Sequence, residues 1–395
     1  MNEPDGRREW FGSPRLDLPA GLVTALALIP EVISFSIVAG VDPKVGLYAS
    51  FTISIVVAVS GGRPGMISAA AGSMAVVMAP LVRAHGLGFL LAATVLTGVV
   101  QIALGAVGAS RLMRFVPRPV VLGFVNGLAI LIFSAQLPNL FGEGVAVWLL
   151  TGAAVVAIYA IPRWTELVPA PLIVIVVLTG LVAATGLEVP AVDDMGELPS
   201  SLPMFALPDV PYTFGTLSTI APYAIALAMV GLLETLLTAQ IVEAELGTAT
   251  NARRECRGQG LANVATGLFG GMAGCAMIGQ TVINLRSGGR SRLSTLAAGV
   301  FLLVLVVALG GVVGRIPMAA LVGVMVVVSA ATFDWSTIRP STLHTVPWTD
   351  TAVMVLTVAV IALTHNLAVG VIGGVVAHRA LPRKGPRLVT AAVAD

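Results

Sequence analysis

The sequence predicts an all-α integral membrane protein with about fourteen transmembrane segments, and three observations lead to that prediction. Of the 395 residues, 57% are hydrophobic and 11% are charged, whereas soluble domains carry about 25% charged residues. The mean hydropathy is +0.96. Long apolar stretches recur along the whole chain between short groups of charged residues. This composition excludes both a large cytosolic domain and an intrinsically disordered chain.

Composition also argues against several kinds of ligand and partner. The net charge of +2 is too small to indicate nucleic acid as a partner. Cys256 and Cys275 form no CxxC pair, and the four histidines form no HExxH motif or similar cluster. We therefore expect no metal and no organic cofactor, and we expect the lipid bilayer and a small solute as partners.

The individual segments follow from the apolar stretches, because a helix needs roughly 20 apolar residues to cross the hydrocarbon core. In the first half of the chain these stretches lie near residues 21–40, 45–60, 66–82, 88–109, 118–137, 144–161 and 170–186. In the second half they lie near residues 217–241, 258–273, 276–289, 293–313, 316–332, 350–364 and 367–378. Several of these are too short to cross the membrane alone.

Basic residues predict the orientation. With a cytoplasmic N-terminus, only Lys44, Arg83 and Arg315 of the 22 Lys and Arg residues fall outside, as the positive-inside rule requires. We predict a multi-pass protein of the cell inner membrane with both termini cytoplasmic, and Arg286, Arg290 and Arg292 serve as cytoplasmic anchors. The predicted parts are a cytoplasmic N-terminus (1–17), a first repeat (18–187), an extracytoplasmic loop (188–214), a second repeat (215–379) and a cytoplasmic tail (380–395).

Seven segments per half is an odd number, so two tandem halves insert with opposite orientation and form an inverted repeat, as in many secondary transporters. Each half places one glutamate in its first segment, Glu31 and Glu234. Each also begins its third segment with a Gly/Ala-rich interruption, at residues 65–73 and 271–281. Such paired interruptions indicate either close helix packing or a binding site at membrane depth, and their matching positions favour the site.

Five runs of sequence together resemble the SulP (sulfate permease) family, which is solute carrier family 26 in animals. They are residues 27–36 (ALIPEVISFS), 39–48 (AGVDPKVGLY), 118–127 (RPVVLGFVNG), 258–263 (GQGLAN) and 284–290 (NLRSGGR). The resemblance implies a non-enzymatic anion transporter in which a core domain (segments 1–4 and 8–11) slides against a gate domain (segments 5–7 and 12–14). Family members usually carry a cytoplasmic STAS domain, for which the tail here is too short, and the resemblance leaves a homodimer open.

The resemblance also implies a substrate site. In the family, segments 3 and 10 are half-helices whose N-termini meet near the midplane, and here they would start near Ser73 and Thr281. Ser73, Gln280 and Thr281 would supply neutral donors, and Phe35 and Met74 match positions that form an apolar wall. Gln280 stands where many animal members have arginine, so the fixed cation of those sites is missing here.

The two intramembrane acids predict the coupling element, because a buried carboxylate is costly unless it is paired or protonated. Glu234 matches a position where some bicarbonate-transporting relatives use an aspartate to bind sodium, with Thr238 one turn further on. Those relatives add a hydroxyl where this chain has Ile278, and the missing oxygen ligand favours H⁺ over Na⁺. Structural roles stay open for Glu31 and Glu234, and local capping for Ser73 and Thr238.

We therefore expect a secondary active anion transporter that works by elevator-type alternating access and is coupled to H⁺. Its substrates would be inorganic anions, such as sulfate or bicarbonate, or small dicarboxylates. The alternatives are an uncoupled anion exchanger or channel-like protein, a nucleobase permease of the same fold, and a membrane scaffold or intramembrane enzyme. A nucleobase permease would carry an acid on segment 10, and this chain has none there. An intramembrane enzyme would need a nucleophile with a base at helical spacing, and the sequence shows no such pair.

Overall fold

Fifteen α-helices are present in the computed structural model, which describes residues 6–108, 117–141, 144–164, 169–339, 342, 346–364 and 367–381. A short helix, α1 (Gly6–Phe11), precedes the first half. That half comprises α2 (Pro14–Ala39), α3 (Pro43–Ser60), α4 (Gly72–His85), α5 (Leu87–Ala106), α6 (Arg118–Ser134), α7 (Val145–Ala160) and α8 (Ala170–Thr185). The second half comprises α9 (Phe214–Leu246), α10 (Ala252–Leu268), α11 (Ile278–Arg286), α12 (Arg292–Val313), α13 (Met318–Thr332), α14 (Trp348–Thr364) and α15 (Leu367–Ala380).

The prediction of an all-α membrane fold is confirmed, and α2 to α15 follow the predicted segments in order. Seven helices of the described chain are long and apolar enough to cross a bilayer, and four more are apolar but shorter. The only strands among the described residues are β1 (Ser68–Ala70) and β2 (Gly274–Ala276). The predicted tail lies outside the described residues beyond position 381.

Two predicted segments differ from the helices that form. The apolar stretch 66–82 starts in extended β1, and α4 begins only at Gly72. The stretch 258–273 corresponds to α10, which begins earlier because Asn251 caps it by accepting a hydrogen bond from Arg254 N at 3.0 Å. The helix therefore starts within a charged stretch, where the low hydropathy predicted a loop.

The helices pack in two groups. In one, α5 packs on α10 and α9, and α12 packs on α2 and α3; in the other, α6 packs on α14 and α13, and α7 on α13 and α8. Contacts of α2 with α8 and α13, of α4 with α6 and of α9 with α15 join the groups. Because α4 and α11 pack on α2 and α9, the first group consists of α2 to α5 and α9 to α12, the segments that the family resemblance implies for a core domain.

Glycines let the backbones of α5 and α10 touch. A Cβ on Gly260 would lie 2.6 Å from the carbonyl oxygen of Gly98, and a Cβ on Gly98 would overlap Gly260 in turn. Small residues at helix crossings are the usual means of close packing in membranes. This crossing places the polar residues of α10 deep inside the first group of helices.

The N-terminal end of the chain docks on the connection between α11 and α12. Asp17 Oδ1 accepts a hydrogen bond from Arg290 N at 2.8 Å. Arg292 is 2% exposed and pairs with Glu9 at 2.9 Å, and its guanidinium donates to the carbonyl oxygens of Ala58 and Gly61. Arg292 is therefore a buried residue that ties α1, α3 and α12 together, a structural role that the sequence did not predict beside its cytoplasmic location.

Candidate functional site

Two breaks in the helical bundle meet at one place. Strands β1 and β2 pair antiparallel, with Ser68 opposite Ala276 and Ala70 opposite Gly274. Immediately after them begin α4 and α11, which at about 1.5 Å per residue are too short to span a hydrocarbon core of about 30 Å. The pairing therefore brings the N-termini of two half-helices together inside the bundle.

Extended backbone inside a membrane needs hydrogen-bond partners, and here neighbouring helices provide them. The Ser50 hydroxyl accepts from Ala70 N at 3.1 Å, and the Ser54 hydroxyl donates to Ser68 O at 2.9 Å. On the other strand, Thr235 Oγ1 accepts from Ala276 N at 3.2 Å. Side chains of α3 and α9 thus complete the ladder that the two short strands leave open.

Polar residues of α10 hold the start of β2. Asn263 accepts from Gly274 N at 2.9 Å and donates to Gly274 O at 3.0 Å, and Gln259 donates to the same oxygen at 3.0 Å. Asn263 also donates to Gln101 Oε1 on α5 at 2.8 Å. Gln259 and Asn263 belong to the GQGLAN run, whose structural role the sequence did not reveal.

Glu234 lies where both breaks converge. Its Oε2 accepts hydrogen bonds from Ser73 Oγ at 2.5 Å and from Cys275 Sγ at 3.2 Å. Ser73 stands in the first turn of α4 and Cys275 in the middle of β2, so one carboxylate oxygen contacts both halves of the chain. Sequence reasoning found Glu234 and Ser73 but set Cys275 aside, because an isolated cysteine carries no motif.

Glu31 lies on α2, one residue after the helix-internal Pro30. The side chain of Gln280, in the first turn of α11, lies beside it. Gln280 is 2% exposed, yet its Nε2 has no partner in hydrogen-bond geometry. A buried amide donor without a partner is unusual, and this one stands at a helix N-terminus.

Of the remaining predicted residues, two are apolar and pack against the helix backbone, and two carry hydroxyl groups. Phe35 packs its ring on Gly72 at the start of α4, whereas the Met74 methyl packs against Gly231 of α9. The hydroxyl of Thr281 bonds to the backbone of Ile67, and that of Thr238 donates to Glu234 O at 2.8 Å. The structure thus engages Thr281 and Thr238 with backbone and does not place their hydroxyls at an open site.

An accessible face leads to this place. Ile278 is 37% exposed, and a Cβ on Gly279 would meet nothing within 4 Å. Both residues begin α11, directly before the buried Gln280. The first two residues of α11 therefore lie at the surface of the described structure. Within the described residues, no group of three or more His, Cys, Asp or Glu could hold a metal ion.

Comparison with known proteins connects this geometry with a family. The profile of the Sulfate permease family matches residues 15–146 and 143–357. A putative sulfate transporter, YbaR of Bacillus subtilis, is 56% identical over 369 residues, which cover 93% of this chain and 77% of that protein. The bicarbonate transporter BicA of Picosynechococcus is 29% identical over 365 residues, covering 83% of this chain and 63% of that protein.

Solved structures share the fold. The transmembrane domain of a cyanobacterial bicarbonate transporter BicA matches with a TM-score of 0.81 and 27% identity, covering 91% of this chain and 97% of that one. SLC26A9 matches with a TM-score of 0.79 at 17% identity, covering 94% of this chain and 65% of that one. The relatives are transporters rather than enzymes. With paired broken helices inside a multi-pass bundle and a family profile over most of its length, the chain belongs to the sulfate permease family of membrane transporters.

Proposed function

We propose that this protein is a secondary active anion transporter coupled to H⁺, with the anion bound between the N-termini of α4 and α11. The carrying observation is the β1–β2 pairing, which brings these two helix ends together beside an accessible surface. Each helix N-terminus offers unpaired N–H groups and about half of a positive elementary charge. Together the two ends balance about one negative charge. Gln280, whose Nε2 makes no bond of full hydrogen-bond geometry, is the side-chain donor best placed to add to them.

Coupling to H⁺ follows from the two acids. Glu31 and Glu234 flank the helix ends, and the described residues include no ion pair to either of them. An ionised carboxylate at membrane depth is costly and repels a bound anion, and protonation removes both penalties. Sodium is disfavoured because Thr238 is bonded to backbone and Ile278 offers no oxygen.

The charge balance bears on the substrate class. Two helix ends and one or two protonated acids suit a monoanion, or a dianion that brings a proton with it. Bicarbonate and sulfate are the anions named for the relatives, and we propose inorganic anions of this class as substrates. Movement of the α2–α5 and α9–α12 group against the other helices would carry the site across the membrane.

Uptake by proteoliposomes tests this function. With the membrane potential clamped at zero, symport of one H⁺ per anion predicts about tenfold accumulation of labelled sulfate per unit of imposed pH gradient, and symport of two H⁺ per sulfate, the electroneutral ratio for this dianion, predicts about hundredfold accumulation. We expect Glu234→Gln to abolish gradient-driven accumulation, while Glu245→Gln, an exposed acid on the same helix, retains it. Uptake that ignores the gradient in the unmodified protein would overturn the H⁺ coupling and indicate an uncoupled exchanger or channel.

A further inference from the structure

Ser73 has a single hydroxyl proton, and the polar groups within reach of its oxygen are the Glu234 carboxyl and the Cys275 thiol. Ser73 Oγ donates to Glu234 Oε2, and the side chain is 1% exposed. A serine hydroxyl donates one hydrogen bond and accepts two. While Glu234 is ionised, the only donor of Ser73 is therefore occupied by the carboxylate and unavailable to an anion at the N-terminus of α4.

Protonation of Glu234 reverses this arrangement. A carboxylic acid has an O–H donor of its own, which can donate to Ser73 Oγ and leave the serine proton free. The proton comes from water at the accessible site and returns to water when the anion leaves. We propose that Ser73 is a donor switch, turned from Glu234 toward the bound anion by protonation of Glu234, and that Cys275 sets the pH at which it turns. This inference rests on the proposed function, because it specifies how proton and anion binding are linked.

Cys275 is the second donor to the same oxygen, at 3.2 Å, and lies 3.9 Å from Ser73 Oγ. A thiol is a weak hydrogen-bond donor. It stabilises the ionised form of Glu234 less than a hydroxyl would and more than a methyl group would. Cys275 is thus a positioning residue whose hydrogen-bond strength adjusts the proton affinity of its neighbour without contact with the substrate.

Other titratable groups lie away from Glu234. Among the elements that pack on α9, β2 contributes Cys275, and the remaining charged or titratable residues stand at least two turns along their helices from the region around Glu234. They are Arg83 and His85 on α4, Arg253, Arg254, Glu255, Cys256 and Arg257 on α10, Arg286 on α11, His378 and Arg379 on α15, and Tyr223, Glu243 and Glu245 on α9 itself. Glu31 on α2 faces Gln280 instead. The immediate surroundings of the Glu234 carboxylate are therefore set by Ser73 and Cys275.

The pH dependence of uptake in two substitutions at one position distinguishes this role from packing. Cys275→Ser introduces a stronger donor and should move half-maximal uptake to lower pH by about half to one unit. Cys275→Ala removes the donor and should move it to higher pH by a similar amount. Cys256→Ala, at the other buried cysteine, should leave the midpoint unchanged. Shifts of both Cys275 variants in the same direction, or no shift, would overturn the proposal and leave the H⁺-coupled function intact.

Substrate affinity provides the second arm. At pH low enough to saturate proton binding, Cys275→Ala should keep the KM of the unmodified protein. Ser73→Ala should raise the KM about tenfold or more, since it removes a donor to an anion. Equal KM values for both variants would contradict the donor switch. If uptake by the unmodified protein shows no pH dependence, both the switch and the H⁺ coupling fail.

Infrared spectroscopy gives a readout that does not require transport. In a Cys256→Ala background, Cys275 is the only cysteine of the chain. A hydrogen bond to the ionised Glu234 lowers the frequency of the S–H stretching band, so acidification should move this band to higher frequency. When Glu234→Gln is added, the band should stay near its low-pH frequency at every pH. A band that is independent of pH would overturn the proposed link between Cys275 and Glu234.

Discussion

At the scale of single residues, the two intramembrane acids differ in how the protein satisfies them. Glu234 on α9 accepts two hydrogen bonds, one of them from α4 of the first half. Glu31 on α2 lies beside Gln280, on α11 of the second half. Each acid thus faces the half-helix of the opposite half of the chain. Glu234 thus has two donors in hydrogen-bond geometry, whereas the amide beside Glu31 makes no hydrogen bond of full geometry.

Gln280 gives a prediction at this scale. Gln280 lies beside Glu31, but its Nε2 makes no bond of full hydrogen-bond geometry, so Gln280→Leu should change the free energy of unfolding by less than about 1 kcal/mol. If the amide donates to the anion, the same variant should raise the KM for uptake about tenfold. Thermal unfolding in detergent and initial rates of uptake measure the two quantities.

A matched glutamine serves as the control. Gln101 also has an unpartnered Nε2, but its Oε1 accepts from Asn263. Gln101→Leu should therefore lower the stability measurably, in contrast to Gln280→Leu. A Gln280→Leu protein with unchanged KM would remove Gln280 from the site.

At the scale of elements, the site depends on two three-residue strands. Neither half of the chain can form this feature alone, since each strand is the partner of the other. The strands are also held by hydroxyls and amides of α3, α9 and α10. Loss of one such group leaves a backbone donor or acceptor without a partner inside the membrane, where water cannot replace it.

Asn263 is the residue on which this arrangement depends most. Asn263→Leu removes both bonds to Gly274 and should lower the free energy of unfolding by about 2–5 kcal/mol, with loss of uptake because α11 is no longer fixed. Gln259→Leu should have a smaller effect, because Asn263 still donates to the same carbonyl oxygen. Chemical or thermal unfolding of the purified proteins compares the two. Equal losses of stability would contradict the assignment.

At the scale of the whole molecule, the connection between α8 and α9 ties distant parts of the chain together. Val192 N donates to Ile316 O at 3.0 Å and Met318 N to Pro190 O at 2.8 Å, so the connection pairs with the short link between α12 and α13. Further along, Glu197 forms an ion pair with Lys44 at the start of α3. The α8–α9 and α12–α13 connections, both of which join the two helix groups, are therefore hydrogen-bonded to each other.

The ion pair predicts a pH dependence of stability. The Lys44 ammonium lowers the pKa of the exposed Glu197 below its usual value. A carboxyl with a lowered folded-state pKa stabilises the fold above its unfolded pKa, and that stabilisation is lost as the pH falls through the lowered value. Acidification should therefore lower the Tm of the unmodified protein slightly more than that of Glu197→Gln. The pair is exposed, so the difference is small, and identical acid profiles would contradict it.

Much of the fold could be predicted from the sequence, because hydropathy and basic residues report on the bilayer directly. Helix positions and the two interrupted segments belong to this part, as do the intramembrane acids. What could not be predicted are pairings across long sequence separations. Arg292 contacts Glu9, and Asn263 forms hydrogen bonds with Gly274. Nothing in the sequence around Arg292 or Asn263 indicates which distant residue each one contacts.

The sequence by itself determined that this chain crosses a membrane many times and that its two halves carry matching breaks, since apolar length and glycine content are local properties. Only the tertiary structure decided which polar side chains form hydrogen bonds with the backbone of the interrupted segments. It bonded the hydroxyls of Thr281 and Thr238 to backbone, placed the Gln280 amide beside Glu31, and placed the Cys275 thiol on Glu234. The physical reason is that a hydrogen-bond donor can bond to backbone, to a carboxylate or to a ligand. Which of these it bonds to depends on the positions of the groups in space, and residue types alone do not encode those positions.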